Sequence, residues 1–125
     1  MAEPILIVDD NPTNLKLVTY LMKASGYDVR TASDAETAIA AIAECKPRLV
    51  LMDVQLPGID GLELTRRLKA DATTADIKII AVTAYAMKGD EEKAMAAGCD
   101  GYVTKPIDTR KLPEVVATMI RSGSK

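Results

Sequence analysis

Five short apolar runs alternate with longer segments of helical pattern along the 125 residues of the chain. The first run, Ile5–Val8, is uninterrupted and rich in β-branched residues, as expected of a strand that is covered on both faces. Parallel strands need long crossover connections, usually helices, whereas antiparallel strands can be joined by tight turns. The alternation therefore predicts an α/β fold with a parallel five-stranded sheet, right-handed crossovers and helices on both faces.

Turn and capping residues set the limits of these elements. Gly26 and Gly98 are natural helix stops, Ser33 or Asp34 can cap the second helix, and Pro47 prevents its continuation. The second strand is the most polar and suits an edge position. The predicted strands are Ile5–Val8, Tyr27–Thr31, Leu49–Met52, Ile79–Val82 and Tyr102–Thr104. The predicted helices are about Thr13–Ala24, a second that follows the Ser33 or Asp34 cap and reaches about Glu44, Leu62–Lys69, Asp90–Ala97, and a last one carrying Leu112, Val115, Val116, Met119 and Ile120, with Pro113 in its first turn.

Composition excludes several classes of function. With 16 basic and 18 acidic residues the formal charge is −2, which argues against a nucleic-acid or anionic-membrane binder. The chain has no histidine, so histidine-based acid–base chemistry and histidine-ligated metals are excluded. The longest apolar run, Ile79–Met87, is interrupted by Thr83 and is far shorter than the ~20 residues that span a bilayer. Any chemistry must rest on carboxylates, hydroxyls and lysines.

The length suits a single domain over residues 1–125, and we expect no output domain and a monomer or weak dimer. Cys45 and Cys99 fit a reduced intracellular protein with unpaired thiols better than a disulfide framework. The N-terminus has no basic segment before its apolar run, unlike a signal peptide. We therefore expect a cytoplasmic protein.

Polar side chains follow four of the predicted strands. Asp9 and Asp10 follow the first strand, Asp53 the third, Thr83 the fourth and Lys105 the fifth. In open parallel sheets the ligand site lies beyond the carboxyl ends of the strands. Three carboxylates at one edge repel each other unless a cation compensates, and Mg²⁺ prefers carboxylate and water oxygens. The pattern therefore predicts a Mg²⁺ site.

The same residues fit phosphoryl transfer to a carboxylate. Asp53, at the tip of a central strand, is the candidate nucleophile, Lys105 the candidate cation and Thr83 the candidate hydroxyl donor. A cis Lys105–Pro106 peptide bond would aim the lysine into the site. Plainer interpretations stand beside these. The segment Asp9-Asp10-Asn11-Pro12 suits a turn and helix cap, Asp53 a loop acid, Thr83 the end of a strand, and Lys105 an ordinary surface position.

Four sequence motifs resemble the receiver domain of two-component response regulators, in the same order and over essentially the whole chain. They are Ile7-Val8-Asp9-Asp10-Asn11, Leu51-Met52-Asp53-Val54-Gln55-Leu56-Pro57-Gly58-Ile59-Asp60-Gly61, Val82-Thr83-Ala84 and Tyr102-Val103-Thr104-Lys105-Pro106-Ile107. The segment Thr83–Ile107 is similar both to single-domain cell-cycle regulators of the DivK type and to receivers attached to hybrid kinases. Gln55 stands where asparagine is frequent in the family, but a backbone ligand tolerates that change.

The resemblance implies a flavodoxin-like doubly wound sheet with strand order 2-1-3-4-5. It also implies a phosphoacceptor switch that receives a phosphoryl group from a histidine kinase or a histidine phosphotransfer protein and signals by protein contact through the fourth helix, fifth strand and fifth helix. The implied site residues are Asp9, Asp10, Asp53 and the Gln55 backbone carbonyl for Mg²⁺, Asp53, Lys105 and Thr83 for phosphoryl transfer, and Thr83 and Tyr102 for switching. Tyr102 also suits a half-buried strand position without any switching role.

Three rival functions remain to be weighed. An aspartate-nucleophile phosphatase of the haloacid-dehalogenase kind needs an acid two residues after the nucleophile, where this chain has Gln55. A flavodoxin-like mononucleotide binder needs a phosphate loop after the first strand, where Asp9 and Asp10 would repel phosphate. A receiver that has lost phosphorylation could act as a scaffold, although every required side chain is present.

The phosphoacceptor switch that the resemblance implies modifies itself, with at most slow self-dephosphorylation, and is not classed as an enzyme.

The first helix has more apolar surface than one sheet face requires. Its polar positions Lys16, Thr19 and Lys23 share a narrow sector, and apolar residues fill the remaining arc. Either the fifth helix covers the excess, or part of it docks a helical kinase or phosphotransfer partner.

Overall fold

Five parallel strands form one sheet in the order β2-β1-β3-β4-β5, as predicted. The computed structural model describes residues 3–54, 56, 61–83, 89–105 and 107–123. The strands are β1 (Pro4–Val8), β2 (Asp28–Ala32), β3 (Leu49–Asp53), β4 (Lys78–Thr83) and β5 (Gly101–Thr104). The helices are α1 (Pro12–Ala24), α2 (Ala35–Cys45), α3 (Gly61–Ala70), α4 (Asp90–Ala97) and α5 (Lys111–Gly123). No helix among the described residues is long and apolar enough to cross a membrane.

The predicted elements lie within one or two residues of the observed ones. β2 begins at Asp28 rather than Tyr27, because the Tyr27 N–H is used by the turn after α1, where it donates to the Met22 carbonyl at 3.1 Å. Asp34, one of the two predicted caps, accepts from the Thr37 N–H and begins α2. Pro113 lies in the first turn of α5, where its missing N–H costs no helical hydrogen bond.

Alternating residues of the central strands build two cores, one on each face of the sheet. Leu6 and Val8 of β1 face the core that α2, α3 and α4 cover. Ile5 and Ile7 face the core beneath α1 and α5. The uninterrupted apolar runs of β1, β3 and β4 follow from this double coverage, whereas β2 pairs with one strand only and is largely exposed.

Strand register aligns the ends of the strands that carry the candidate site. Val8 pairs with Met52, so that Asp9 and Asp53 are the next residues of neighbouring strands. Thr83 pairs with Thr104, and the N–H of Lys105 donates to the Thr83 carbonyl at 2.7 Å. Both pairs of neighbours therefore leave the sheet at the same edge.

Candidate functional site

Three carboxylates meet at the carboxyl edge of the sheet. One carboxylate oxygen from each of Asp9, Asp10 and Asp53 lies within 4.8 Å of the other two. Asp9 and Asp53 are each 2% exposed, whereas Asp10 is open to solvent. The predicted convergence of these acids is thus observed, and the turn after β1 delivers one buried and one exposed acid to the same cluster.

Lys105 lies between the two buried acids. Its Nζ is 3.3 Å from Oδ2 of Asp9 and 3.4 Å from Oδ2 of Asp53, and its side chain is largely buried. The lysine is therefore no ordinary surface residue. Pro106 lies outside the described residues, so the cis form considered for the Lys105–Pro106 peptide bond is not tested.

Asp9 is held by residues at the start of α1, a contact that the sequence pattern does not predict. The Asn11 N–H donates to Oδ1 of Asp9 at 2.9 Å, and the Asn14 side-chain amide donates to Oδ2. The Asn11 side chain in turn caps α1 by accepting from the Asn14 N–H at 3.1 Å. The Asn-Pro start of a helix predicts the cap, but not the reach of Asn14 back to Asp9.

Gly61, the last residue of the motif around Asp53, brings α3 into close contact with the segment that carries Asp53. As the first residue of α3, its N–H donates to the Val54 carbonyl at 2.9 Å. A β-carbon at this position would collide with the backbone of Asp53 and lie 2.9 Å from Cα of Val54. Only glycine lets α3 approach the segment that carries Asp53 this closely.

The predicted switch residues lie on the neighbouring strands β4 and β5. Thr83, 4% exposed, ends β4 at the site edge. Tyr102 is half-buried, packs against the core beneath α2, α3 and α4, and has a buried hydroxyl oxygen. The predicted Gln55 carbonyl ligand lies outside the described residues.

The donor set suits a divalent cation. When ionised, the three acids carry three negative charges, of which Lys105 offsets one. Two negative charges then remain for a divalent ion to neutralise. Carboxylate oxygens are hard ligands of the kind that Mg²⁺ prefers, and the exposed Asp10 leaves an approach from solvent. The residues present therefore fit Mg²⁺.

Comparison with known proteins decides the family. Residues 5–117 match the response regulator receiver domain family. The chain belongs to this family. This receiver domain is 45% identical over 121 residues to the polar-differentiation response regulator DivK of Brucella ovis, an alignment that covers 96% of this chain and 98% of that protein.

Solved receiver domains share the fold. The chain is similar to the receiver domain protein (CheY-like) of Methanospirillum hungatei JF-1, with a TM-score of 0.90, 30% identity and coverage of 98% of this chain and 97% of the other. It is also similar to the receiver domain of the sensor histidine kinase PA1611 of Pseudomonas aeruginosa PAO1, with a TM-score of 0.88, 31% identity and coverage of 97% and 99%. That receiver domain has a magnesium ion coordinated in its active site cleft.

The predicted family and function are confirmed. The receiver domain is a phosphoacceptor signalling switch of two-component systems, a class of proteins that act by changing state rather than as classical enzymes. Neither the phosphatase nor the mononucleotide binder is better supported by these relatives.

Proposed function

We propose that Asp53 is the phosphoacceptor, that Asp9 and Asp10 join it in holding Mg²⁺, and that Lys105 steadies the transferred group. One observation carries this proposal: a buried aspartate at the end of a central strand, 3.4 Å from a lysine ammonium and within reach of two further carboxylates. Phosphoryl transfer to a carboxylate requires little beyond positioning and charge neutralisation, which this arrangement supplies.

The chemistry balances without a general base. A carboxylate oxygen of Asp53 forms a bond to phosphorus, the phosphorus–nitrogen bond of the donor phosphohistidine breaks, and its electron pair stays with the imidazole nitrogen. Lys105 is placed to turn from Asp53 toward the new phosphoryl oxygens. Mg²⁺ held by Asp9, Asp10 and Asp53 would supply further positive charge for those oxygens. The carbonyl of Gln55 is the fourth ligand that we propose. Attack of water on the resulting acyl phosphate would release inorganic phosphate and restore the Asp53 carboxylate.

The added charge provides the signal. We propose that the Thr83 hydroxyl and Lys105 are drawn to the phosphoryl group, and that Tyr102 turns further inward as the α4–β5–α5 surface changes state. The Lys105 N–H donates a hydrogen bond to the Thr83 carbonyl, and through this backbone contact a shift of one residue displaces the other. A few kcal/mol of differential interaction is enough to move such a pre-existing equilibrium from mostly inactive to mostly active.

Partners are proposed on two surfaces, with downstream proteins on α4–β5–α5 and the phosphodonor on α1. Leu17 and Tyr20 of α1 are 37% and 72% exposed, so the described part of α5 leaves them uncovered. A helical histidine kinase or phosphotransfer partner would cover them. Chemical-shift mapping in which such a partner leaves both residues unperturbed would refute this docking site.

The two unpaired cysteines support a cytoplasmic setting.

The decisive experiment on the site is labelling of Asp53→Asn. We expect this variant to take up no phosphoryl group from acetyl phosphate in Mg²⁺, as measured by intact-protein mass, because an amide is a poor nucleophile. Asp76→Asn, at an exposed position in the loop before β4, is the matched control and should be labelled like the parent protein. Full labelling of the Asp53 variant at another residue would refute the assignment.

A further inference from the structure

Asp9 has fixed hydrogen-bond donors at both of its carboxylate oxygens. The Asn11 N–H binds Oδ1, and the Asn14 amide binds Oδ2, which also faces the Lys105 ammonium at 3.3 Å. A carboxylate has about four lone-pair positions for donors or cations. One position on each oxygen therefore accepts a hydrogen bond from the chain itself, and Oδ2 is in addition in ion-pair contact with Lys105.

Asn14 is held in place from its own side. It is the third residue of α1, and its backbone N–H is engaged by the capping side chain of Asn11. Its side chain lines a cavity of about 10 Å³ whose other walls are mainly apolar, among them Val18, Leu51 and Leu112. The amide therefore meets its polar partner at Asp9, while apolar groups bound its other side.

We propose that Asn14 is a specificity-determining residue that restricts Asp9 to a single oxygen toward the metal and thereby disfavours Ca²⁺. Mg²⁺ takes six ligands, keeps several waters and needs only one oxygen from each carboxylate. Ca²⁺ takes six to eight oxygens and gains from bidentate carboxylates, which an Asp9 bound at Oδ2 cannot provide. The inference rests on the proposed metal site. It adds Asn14 to that site as a residue that hydrogen-bonds to the proposed ligand Asp9 but does not itself bind the metal.

Asn14→Leu removes the donor while keeping a side chain of similar size beside an apolar cavity. We expect the ratio of the Ca²⁺ to the Mg²⁺ dissociation constant, measured by titration calorimetry on the full chain, to fall by about tenfold. This is the lower end of the change in affinity on removing groups that hydrogen-bond to metal ligands. Asn14→Gln, which keeps an amide, should retain more of the discrimination than the leucine variant.

Thr13→Val is the matched control, because Thr13 is an exposed neighbour in the same turn. The ratio of the Ca²⁺ to the Mg²⁺ dissociation constant of this variant should equal that of the parent protein. Asn14→Ala serves as the test if the leucine variant fails to give a folded circular dichroism spectrum. An equal loss of affinity for both ions would show that Asn14 only steadies Asp9 and would overturn the proposal, as would an unchanged ratio. A parent protein that binds no Mg²⁺ would overturn the metal site itself.

Discussion

At the scale of single residues, Gly61 shows how a backbone contact can decide the placement of a reactive side chain. Asp53 is not held by its own side-chain partners alone, because the first turn of α3 packs directly against the peptide that follows it. Backbone atoms on both sides of this contact cannot move away as the end of a flexible side chain can. The position of the candidate phosphoacceptor therefore depends on the absence of one methyl group.

We expect Gly61→Ala to lower the free energy of unfolding by about 1–3 kcal/mol, the usual cost of overpacking, and to slow labelling by acetyl phosphate. Urea denaturation and intact-protein mass measure the two effects. Gly26→Ala is the comparison, because a β-carbon there meets no atom within 4 Å although φ is +94°. That variant should lose stability but label normally. Normal labelling of Gly61→Ala would contradict the role given to this contact.

At the scale of elements, the start of α2 is a part of the fold whose stability depends on pH. Asp34 accepts from both the Thr37 N–H and the Thr37 hydroxyl, at 2.8 Å each, and these hydrogen bonds lower the pKa of its carboxyl. The ionised form is therefore favoured by folding. Its contribution is complete above the unfolded-state pKa and is lost as the pH falls through the lower pKa of the folded state.

We expect Asp34→Asn to keep most of the stability of the parent protein at pH 7, because asparagine is also a good cap. The parent should lose stability below about pH 4, near the ordinary pKa of aspartate, more steeply than the variant. Urea denaturation at pH 7 and at successively lower pH provides the comparison. Parallel loss in both proteins would mean that Asp34 does not contribute to the acid dependence.

At the scale of the whole molecule, the charge of the site couples metal binding to stability. With Mg²⁺ removed by a chelator, Lys105→Met leaves the buried carboxylates of Asp9 and Asp53 without their ammonium, and we expect the free energy of unfolding to fall by about 1–3 kcal/mol. Added Mg²⁺ should stabilise this variant more than the parent at the same concentration, because a cation that competes for the same oxygens is gone.

Thermal denaturation in chelator and in Mg²⁺ measures this difference. Lys93→Met, at an exposed position of α4, is the control and should respond to Mg²⁺ like the parent protein. An equal response of all three proteins would show that Lys105 does not offset the charge of the acids.

The architecture follows from features that the sequence displays locally. Apolar runs and helix signals predicted the ten elements that the described residues form, and the rule for parallel sheets brought Asp9, Asp53 and Lys105 to one edge. What could not be predicted depends on packing between distant segments. Gly61 contacts Asp53 because of the path by which α3 returns to the sheet.

The same holds for contacts that depend on helix orientation. Lys69 and Asp100, 31 residues apart, form a 2.9 Å ion pair at the opposite end of β4 because α3 ends above the turn into β5. In α1, helical periodicity puts Thr19 among the solvent-facing residues, yet Thr19 is half-buried while Tyr20 is exposed. Periodicity describes a helix alone, whereas its rotation on the sheet depends on neighbours that one segment does not specify.

The Lys105 ammonium between Asp9 and Asp53 gives these two acids a counter-ion that does not depend on bound metal. Carboxylates without a counter-ion would repel each other and separate at low Mg²⁺ concentration, and each binding event would then have to bring them together again. The Lys105 ammonium is an internal counter-ion that keeps the carboxylates of Asp9 and Asp53 together when no metal is bound. The metal site is therefore preformed before Mg²⁺ binds.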